Sequence, residues 1–347
     1  MTDRFEPAAA GLLLALQRGL PLEPRPFAAL AAQLDLTEDE VLEQAAAFVR
    51  AGLVRRFGAV FDARGLGYDS TLCAVDVPEA DVERVAALLQ PHTGITHCYQ
   101  RAGAPALWFT LTAPADALAG DIAAAARRVA PWALLNLPTR RTFKIGVVLD
   151  VRRQPEPAPT PAAGPSRPAD SRGAPRIFSE RERELVRRLQ ADIPLTAEPW
   201  TALAGELHFK TDALLTLLNA WQQAGILRRV GLVPYHRELG FAVNGMCVWR
   251  ADPQGLEAAG RVLAAAPEVT HCYERVMNPG FPFNLFAMLH AATLPAAEAA
   301  LAHLTAAAGL SGGRMLVSVR EFKKTSPRFF TEESLKPDSP AENASRT

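Results

Sequence analysis

The sequence predicts an α+β chain made of two tandem copies of one unit. Each unit joins a winged helix-turn-helix to a ferredoxin-like βαββαβ domain. Two observations lead there. First, the chain repeats itself: AGLVRRFGAVFDARGLGY (Ala51–Tyr68) is answered by AGILRRVGLVPYHRELGF (Ala224–Phe241), ITHCYQR by VTHCYER, and RTFK (Arg141–Lys144) by REFK (Arg320–Lys323). Order and spacing are kept, and the cysteines match across the copies, Cys73 with Cys247 and Cys98 with Cys272. Second, within each copy the apolar period changes from helical to strand-like at the RRFG and RRVG segments.

The helical part comes first in each copy. Thr37 and Glu40 form a capping box ahead of VLEQAAAFVRAG, and Gly52 stops that helix. Ser179 with Glu182 caps a helix in the second copy, Thr211 opens another, and Gly225 ends it. Three short helices with tight turns fit a winged helix-turn-helix. LVRRFGAV and ILRRVGLV are β-compatible. STLCAVDV and NGMCVWRA read as strands, VERVAALLQ and GLEAAGRVLAAA as helices. The THCY segments with ALWFTLTA and FNLFAMLHA follow as strand pairs. An Ala-rich helix and a last strand, FKIGVVLDV or MLVSVREF, close each copy. The boundaries drawn are 1–56 and 177–229 for the helical domains, 57–151 and 230–330 for the ferredoxin-like domains, 152–176 for a Pro/Ala-rich linker and 331–347 for a disordered tail.

Composition bounds the function. With 37 Lys+Arg against 37 Asp+Glu, the formal charge is zero, so no global field draws the chain to nucleic acid or an anionic membrane. No apolar run suits a bilayer span. The apolar N-terminus carries Asp3 and Glu6 where a targeting segment needs basic residues, and reads as a first helix. Four cysteines without a CxxC pair argue against a closed zinc site and fit reduced thiols in a cytoplasmic protein. No phosphate-binding loop, HExxH or GxSxG stands in a supporting context.

A helix-turn-helix followed by βαββαβ resembles the Lrp/AsnC family of transcription regulators. The closer resemblance is to the siroheme decarboxylases, carried by RRFGAVFDARGLGY, RRVGLVPYHRELGF, THCYQR, THCYER, PFNLFAML and the closing FKK. It covers nearly the whole chain, and the fused arrangement resembles the two-unit enzymes of the haem d1 pathway of denitrifiers. The resemblance implies a carboxy-lyase that takes carbon dioxide from two acetates of siroheme, giving 12,18-didecarboxysiroheme without an added cofactor. The substrate carries the iron, to which a histidine could add an axial bond. It also implies an internal pseudo-dimer, with homologous subunits of the same pathway as further partners.

Such a substrate needs an apolar slot and cations for its carboxylates. Arg55, Arg64 and Arg101, with Arg228, Arg229, Arg237, Arg275 and Lys323, are the candidate clamps; Arg56 and Lys144 complete the repeated pairs. Solvated strand-edge cations are the competing reading. His97 and Tyr99, like His271 and Tyr273, lie two residues apart and so share a strand face. His236 stands in PYHREL between Tyr235 and Arg237, where the first copy has Ala63. His236, His271 and Tyr235 are therefore the catalytic candidates, with His236 expected to titrate near neutrality and supply a proton. Asn278, Pro279, Phe281 and Phe283 form an insertion that either walls the pocket or is a plain loop.

The rival function is a ligand- or haem-sensing transcription regulator. A DNA-reading helix needs cations for phosphates. EDEVLEQAAAFVR carries Glu38, Asp39, Glu40 and Glu43, and TDALLTLLNAWQQ has an acid and no base, so no specific DNA partner is expected.

Overall fold

The computed structural model describes residues 5–146, 148–149, 151, 167–168 and 176–331. Most of the expected linker and all but Thr331 of the expected tail lie outside the described residues. The first unit opens with α1 (Pro7–Arg18), α2 (Pro26–Leu34) and α3 (Glu38–Arg50), followed by β1 (Val54–Phe61). It continues as β2 (Tyr68–Val75), α4 (Glu79–Leu89), β3 (Ile95–Arg101), β4 (Leu107–Pro114), α5 (Leu118–Arg128) and β5 (Leu134–Ile145). A two-residue strand, β6 (Arg167–Pro168), pairs with β5. The second unit repeats the order as α6 (Glu180–Leu189), α7 (Pro199–Glu206), α8 (Thr211–Gln223), β7 (Leu227–Pro234), β8 (Val243–Trp249), α9 (Leu256–Ala265), β9 (Val269–Arg275), β10 (Leu285–Ala291), α10 (Leu294–Ala307) and β11 (Arg314–Lys324).

The helix signals act where they stand in the sequence. Thr37–Glu40 and Ser179–Glu182 both form complete capping boxes, satisfying N–H groups that the first turn leaves orphaned. Gly52 (φ 69°) and Gly225 (φ 72°) take the left-handed conformation just beyond α3 and α8. One expected strand is displaced: the first unit closes with Leu134–Ile145, not with FKIGVVLDV.

β1 and β7 pair antiparallel, with Gly58 opposite Gly231, as a ribbon linking the two units. Phe57, Ala59, Phe61, Leu227, Val230 and Leu232 of this ribbon pack into the helical core. The domain boundaries at 56/57 and 229/230 thus cut through β1 and β7. A Cβ on Gly58 would sit 2.6 Å from the Ala191 carbonyl oxygen, and one on Gly231 2.4 Å from that of Leu16. The helix ends rest directly on the ribbon, which is why RRFG and RRVG carry glycine there.

The other long strands form one closed sheet. Its order is β2-β4-β3-β11-β8-β10-β9-β5, and β5 pairs back with β2. Closure depends on exchange between the units. β5 pairs with β2 through Leu134–Pro138 and then with β9 of the second unit through Thr139–Ile145. β11 pairs with β8 through Arg314–Val317 and then with β3 of the first unit through Ser318–Lys324. Cys98 and Cys272 belong to apolar clusters under the helices. Trp108, Leu137, Met246, Val248, Phe281, Phe286 and Leu316 pack together on the opposite, inner face. His97, Tyr99, His271 and Tyr273, alternating with those cysteines, therefore point inward.

Candidate active site

The inward strand faces and the β1–β7 ribbon together create two related clusters of polar residues. In each, histidine and tyrosine share a face as their spacing predicts: His97 and Tyr99 rings stand 6.2 Å apart at 29°, His271 and Tyr273 rings 6.1 Å apart at 28°. A neighbouring threonine hydroxyl holds each Nδ1, Thr96 at 2.9 Å and Thr270 at 3.0 Å. The Nε2 atoms are thus the nitrogens left to meet a ligand. His97, His271 and Tyr273 keep some accessible surface on the inner side of the closed sheet, the side on which a ligand would lie.

The first cluster is composite. Around His97 and Tyr99 stand Arg55 of β1, Tyr235 and His236 of the turn after β7, His290 of β10, and Glu321 and Lys324 of β11. Lys324 Nζ lies 2.8 Å from His236 Nδ1. The Lys324 ammonium has no lone pair, so it donates; Nδ1 accepts, and the neutral ring carries its proton on Nε2. His236 Nε2 is buried without a partner, and the His290 ring is 5.2 Å away. His236 thus joins the first unit's Arg55, His97 and Tyr99, a grouping set by the chain exchange. His271 stands with Tyr273, Arg228 and Asp62 in the second cluster and is also close enough to His97 and His290 to act on them, so the two clusters adjoin.

Several clamp candidates are used elsewhere. Arg101 and Arg275 are 6% and 8% exposed. Arg101 donates to the Leu316 carbonyl at 2.9 Å, and Arg275 to that of Leu137 at 2.8 Å, each at the seam where an exchanged strand changes partner. Each thus ties an exchanged strand to the sheet through Nη1, while its Nε has no protein partner. Arg56 donates to the Gln190 carbonyl at the end of α6, and Arg229 packs on Gly19 beyond α1, so both serve the helical layer. Lys323 is not in the inner space: it bonds the carbonyls of Gln90 and His92 at 2.6 and 2.8 Å on the helix side, as Lys144 bonds Ala266. Arg64 pairs with Asp69 at 3.5 Å. Arg237 is exposed beside His236, and Tyr235 is 42% exposed. Phe281 of the insertion plugs the inner core, its ring 5.1 Å from Trp108.

Lys324, Glu321, His290 and Asp62 were not among the candidates. Lys324 had a signal, since REFKK aligns with RTFKI and a lysine replaces an isoleucine. A β-bulge between Glu321 and Lys323 breaks the alternation, so that Lys323 opposes Cys98 and Lys324 opposes His97.

The electrostatics favour an anionic ligand. In the first cluster Arg55, Lys324 and Arg237 face a single nearby carboxylate, Glu321, which lies 3.8 Å from Lys324 and accepts from Tyr99. Burial, then Lys324, Arg237 and Arg55, push the His236 imidazole down to about 4. The near-neutral titration expected of His236 is therefore absent from the ligand-free chain. Burial likewise lowers His97 to about 3 and His271 to about 4. A polycarboxylate in the space would reverse these shifts by supplying the missing negative charge. Free chains bind protons at ordinary histidines near 6.5. The unfolded state therefore binds more protons than the folded state between about 6.5 and about 4, and stability falls as pH falls through that window. Urea midpoints measured across it are expected to drop steadily, and a flat profile would contradict the buried neutral histidines.

Among the described residues, no group of three or more His, Cys, Asp or Glu could hold a metal ion, and no helix is long and apolar enough to cross a membrane. All four cysteines are buried and free.

Comparison with known proteins converges on one group. An AsnC-like ligand binding domain matches residues 65–144 and 238–323, and a siroheme decarboxylase NirDL-like HTH domain matches 11–55 and 182–228. The siroheme decarboxylase of Hydrogenobacter thermophilus is 33% identical over 325 residues, covering 93% of this chain and 95% of that one. The siroheme decarboxylase NirDL subunit of Paracoccus denitrificans is 36% identical over 316 residues, 90% and 94% of the two chains. A crystal structure of the siroheme decarboxylase NirDL in co-complex with an iron-uroporphyrin III analogue superposes with a TM-score of 0.70 at 28% identity, covering 93% and 95%.

Proposed function

Because this chain belongs to the siroheme decarboxylase family, we propose that it removes carbon dioxide from two acetate side chains of siroheme at the composite His97–His236 cluster, giving 12,18-didecarboxysiroheme. The observation that carries the site is the Lys324–His236 contact among cations that a single carboxylate only partly neutralises.

The chemistry follows from balance. Each acetate loses its carboxylate as carbon dioxide, and the methylene carbon left with the electron pair takes one proton to become methyl. No oxidant or electron carrier enters, and the iron belongs to the substrate. Arg55 and Lys324 hold the other carboxylates and fix the ring. His236 Nε2–H, which no protein acceptor takes, is the proton donor, while Lys324 at Nδ1 keeps the tautomer that places the proton there before substrate binds. Substrate carboxylates draw the Lys324 ammonium away from Nδ1 and raise the basicity of His236; Nδ1 then takes a proton from solvent, and the imidazolium gives Nε2–H to carbon and returns to the neutral ring.

The reciprocal exchange of β5 and β11 supports reading the chain as an internal pseudo-dimer, two units arranged as two subunits would be. Homologous subunits of the same pathway are its proposed further partners, and the cytoplasm its proposed location.

Incubation of the purified chain with siroheme tests the reading. Two carbon dioxides per ring and a product lacking two carboxyl groups are expected. Siroheme bound without turnover, together with sequence-specific retention of duplex DNA, would favour the regulator instead.

A further inference from the structure

The two clusters place their carboxylates differently: Glu321 lies beside Lys324 in the first, and Asp62 lies beside Arg228 in the second. Tyr235, His236 and Lys324 occupy repeat positions held in the other cluster by Asp62, Ala63 and Ile145. The Asp62 carboxylate is engaged on both oxygens. Oδ1 accepts from the backbone N–H of Arg64 at 3.0 Å and of Gly65 at 3.4 Å, and Oδ2 accepts from Arg228 at 2.5 Å. Arg228 is the repeat counterpart of Arg55, whose guanidinium has the Ser326 hydroxyl at 3.4 Å and the neutral phenol of Tyr235 nearby.

We propose that Asp62 stands in for a substrate carboxylate at Arg228 and silences the second cluster, so that each chain binds one tetrapyrrole. Both members of the pair are partly shielded, at 30% and 17% side-chain exposure, and the turn around Asp62 holds its carboxylate in place. A carboxylate arriving at Arg228 must displace Asp62 or lie beside it as a second negative charge. No counterpart of His236 or Lys324 waits there, since Ala63 and Ile145 replace them, and His271 is left without a second histidine at that place. The same carboxylate arriving at Arg55 meets a weaker competitor: Glu321, the anion in that cluster, acts on Arg55 without a direct contact and is engaged by Lys324 and Tyr99. The duplication thus supplies two related clusters, and one aspartate distinguishes the cation of one from that of the other.

This inference rests on the proposed function, and titration calorimetry with iron-uroporphyrin III separates the two. The unaltered chain is expected to bind one equivalent. Asp62→Asn keeps the turn hydrogen bonds to Arg64 and Gly65 but removes the charge, and is expected to add a second, weaker equivalent. The triple change Asp62→Tyr, Ala63→His, Ile145→Lys is expected to tighten that second equivalent by about tenfold, one added cation contact. Two equivalents on the unaltered chain, or a single equivalent in Asp62→Asn with normal siroheme turnover, would overturn the role of Asp62 and leave the decarboxylase reading intact. No binding to the unaltered chain would remove both.

Discussion

His236→Ala is expected to lower siroheme decarboxylation by at least about a hundredfold, the loss usual when a group that moves a proton in the transition state is removed. The ring is held by Lys324 on one side and faces His290 on the other, and its Nε2 has no protein partner to lose. The fold should survive, since His236 lies in a turn after β7 and outside the apolar clusters. Binding should persist through Arg55 and Lys324, so the loss falls on kcat with the bound spectrum of the iron ring unchanged. Loss of that spectrum would assign His236 to iron ligation instead. Turnover at the parent rate would show that another group protonates carbon.

Lys324→Met is expected to cost about tenfold or more in kcat and to change the pH profile. Methionine keeps the bulk and removes the donor to Nδ1, so the neutral imidazole is free to carry its proton on the wrong nitrogen. The same change removes a cation that helps depress His236, so the imidazole limb should move to higher pH. Lys324→Arg, which retains a charged donor, should recover part of the rate. An unshifted profile with an unchanged kcat would reduce Lys324 to a packing residue.

Much of the fold could be read from the chain because the repeat aligns residue by residue and the caps act locally. Thr37–Glu40, Ser179–Glu182, Gly52 and Gly225 need only their own neighbours. The shared face of His97 and Tyr99 follows from the two-residue period of a strand. The site was less legible because its parts meet through pairings between distant strands. Nothing within PYHREL says that β11 crosses to β3 and brings His236 to Arg55, so His271 of the same copy is the natural companion in the sequence. The closing FKK offered two lysines, and strict alternation cannot choose between them across a bulge. Arg101 and Arg275 look like ligand clamps in sequence, yet each also donates through Nη1 to a carbonyl at the seams that exchange creates. The depressed titration of His236 likewise depends on burial and on Lys324, both products of tertiary contact.

The central claim is that one composite site, with Arg55, His97 and Tyr99 from the first unit and His236 and Lys324 from the second, holds the tetrapyrrole. A crystal structure of this chain with iron-uroporphyrin III bound tests it most directly. The account predicts the ring beside His97 and His236, with carboxylates on Arg55 and Lys324 and the Asp62–Arg228 pair intact. A ring seated between His271 and Arg228, with the first cluster unoccupied, would contradict it.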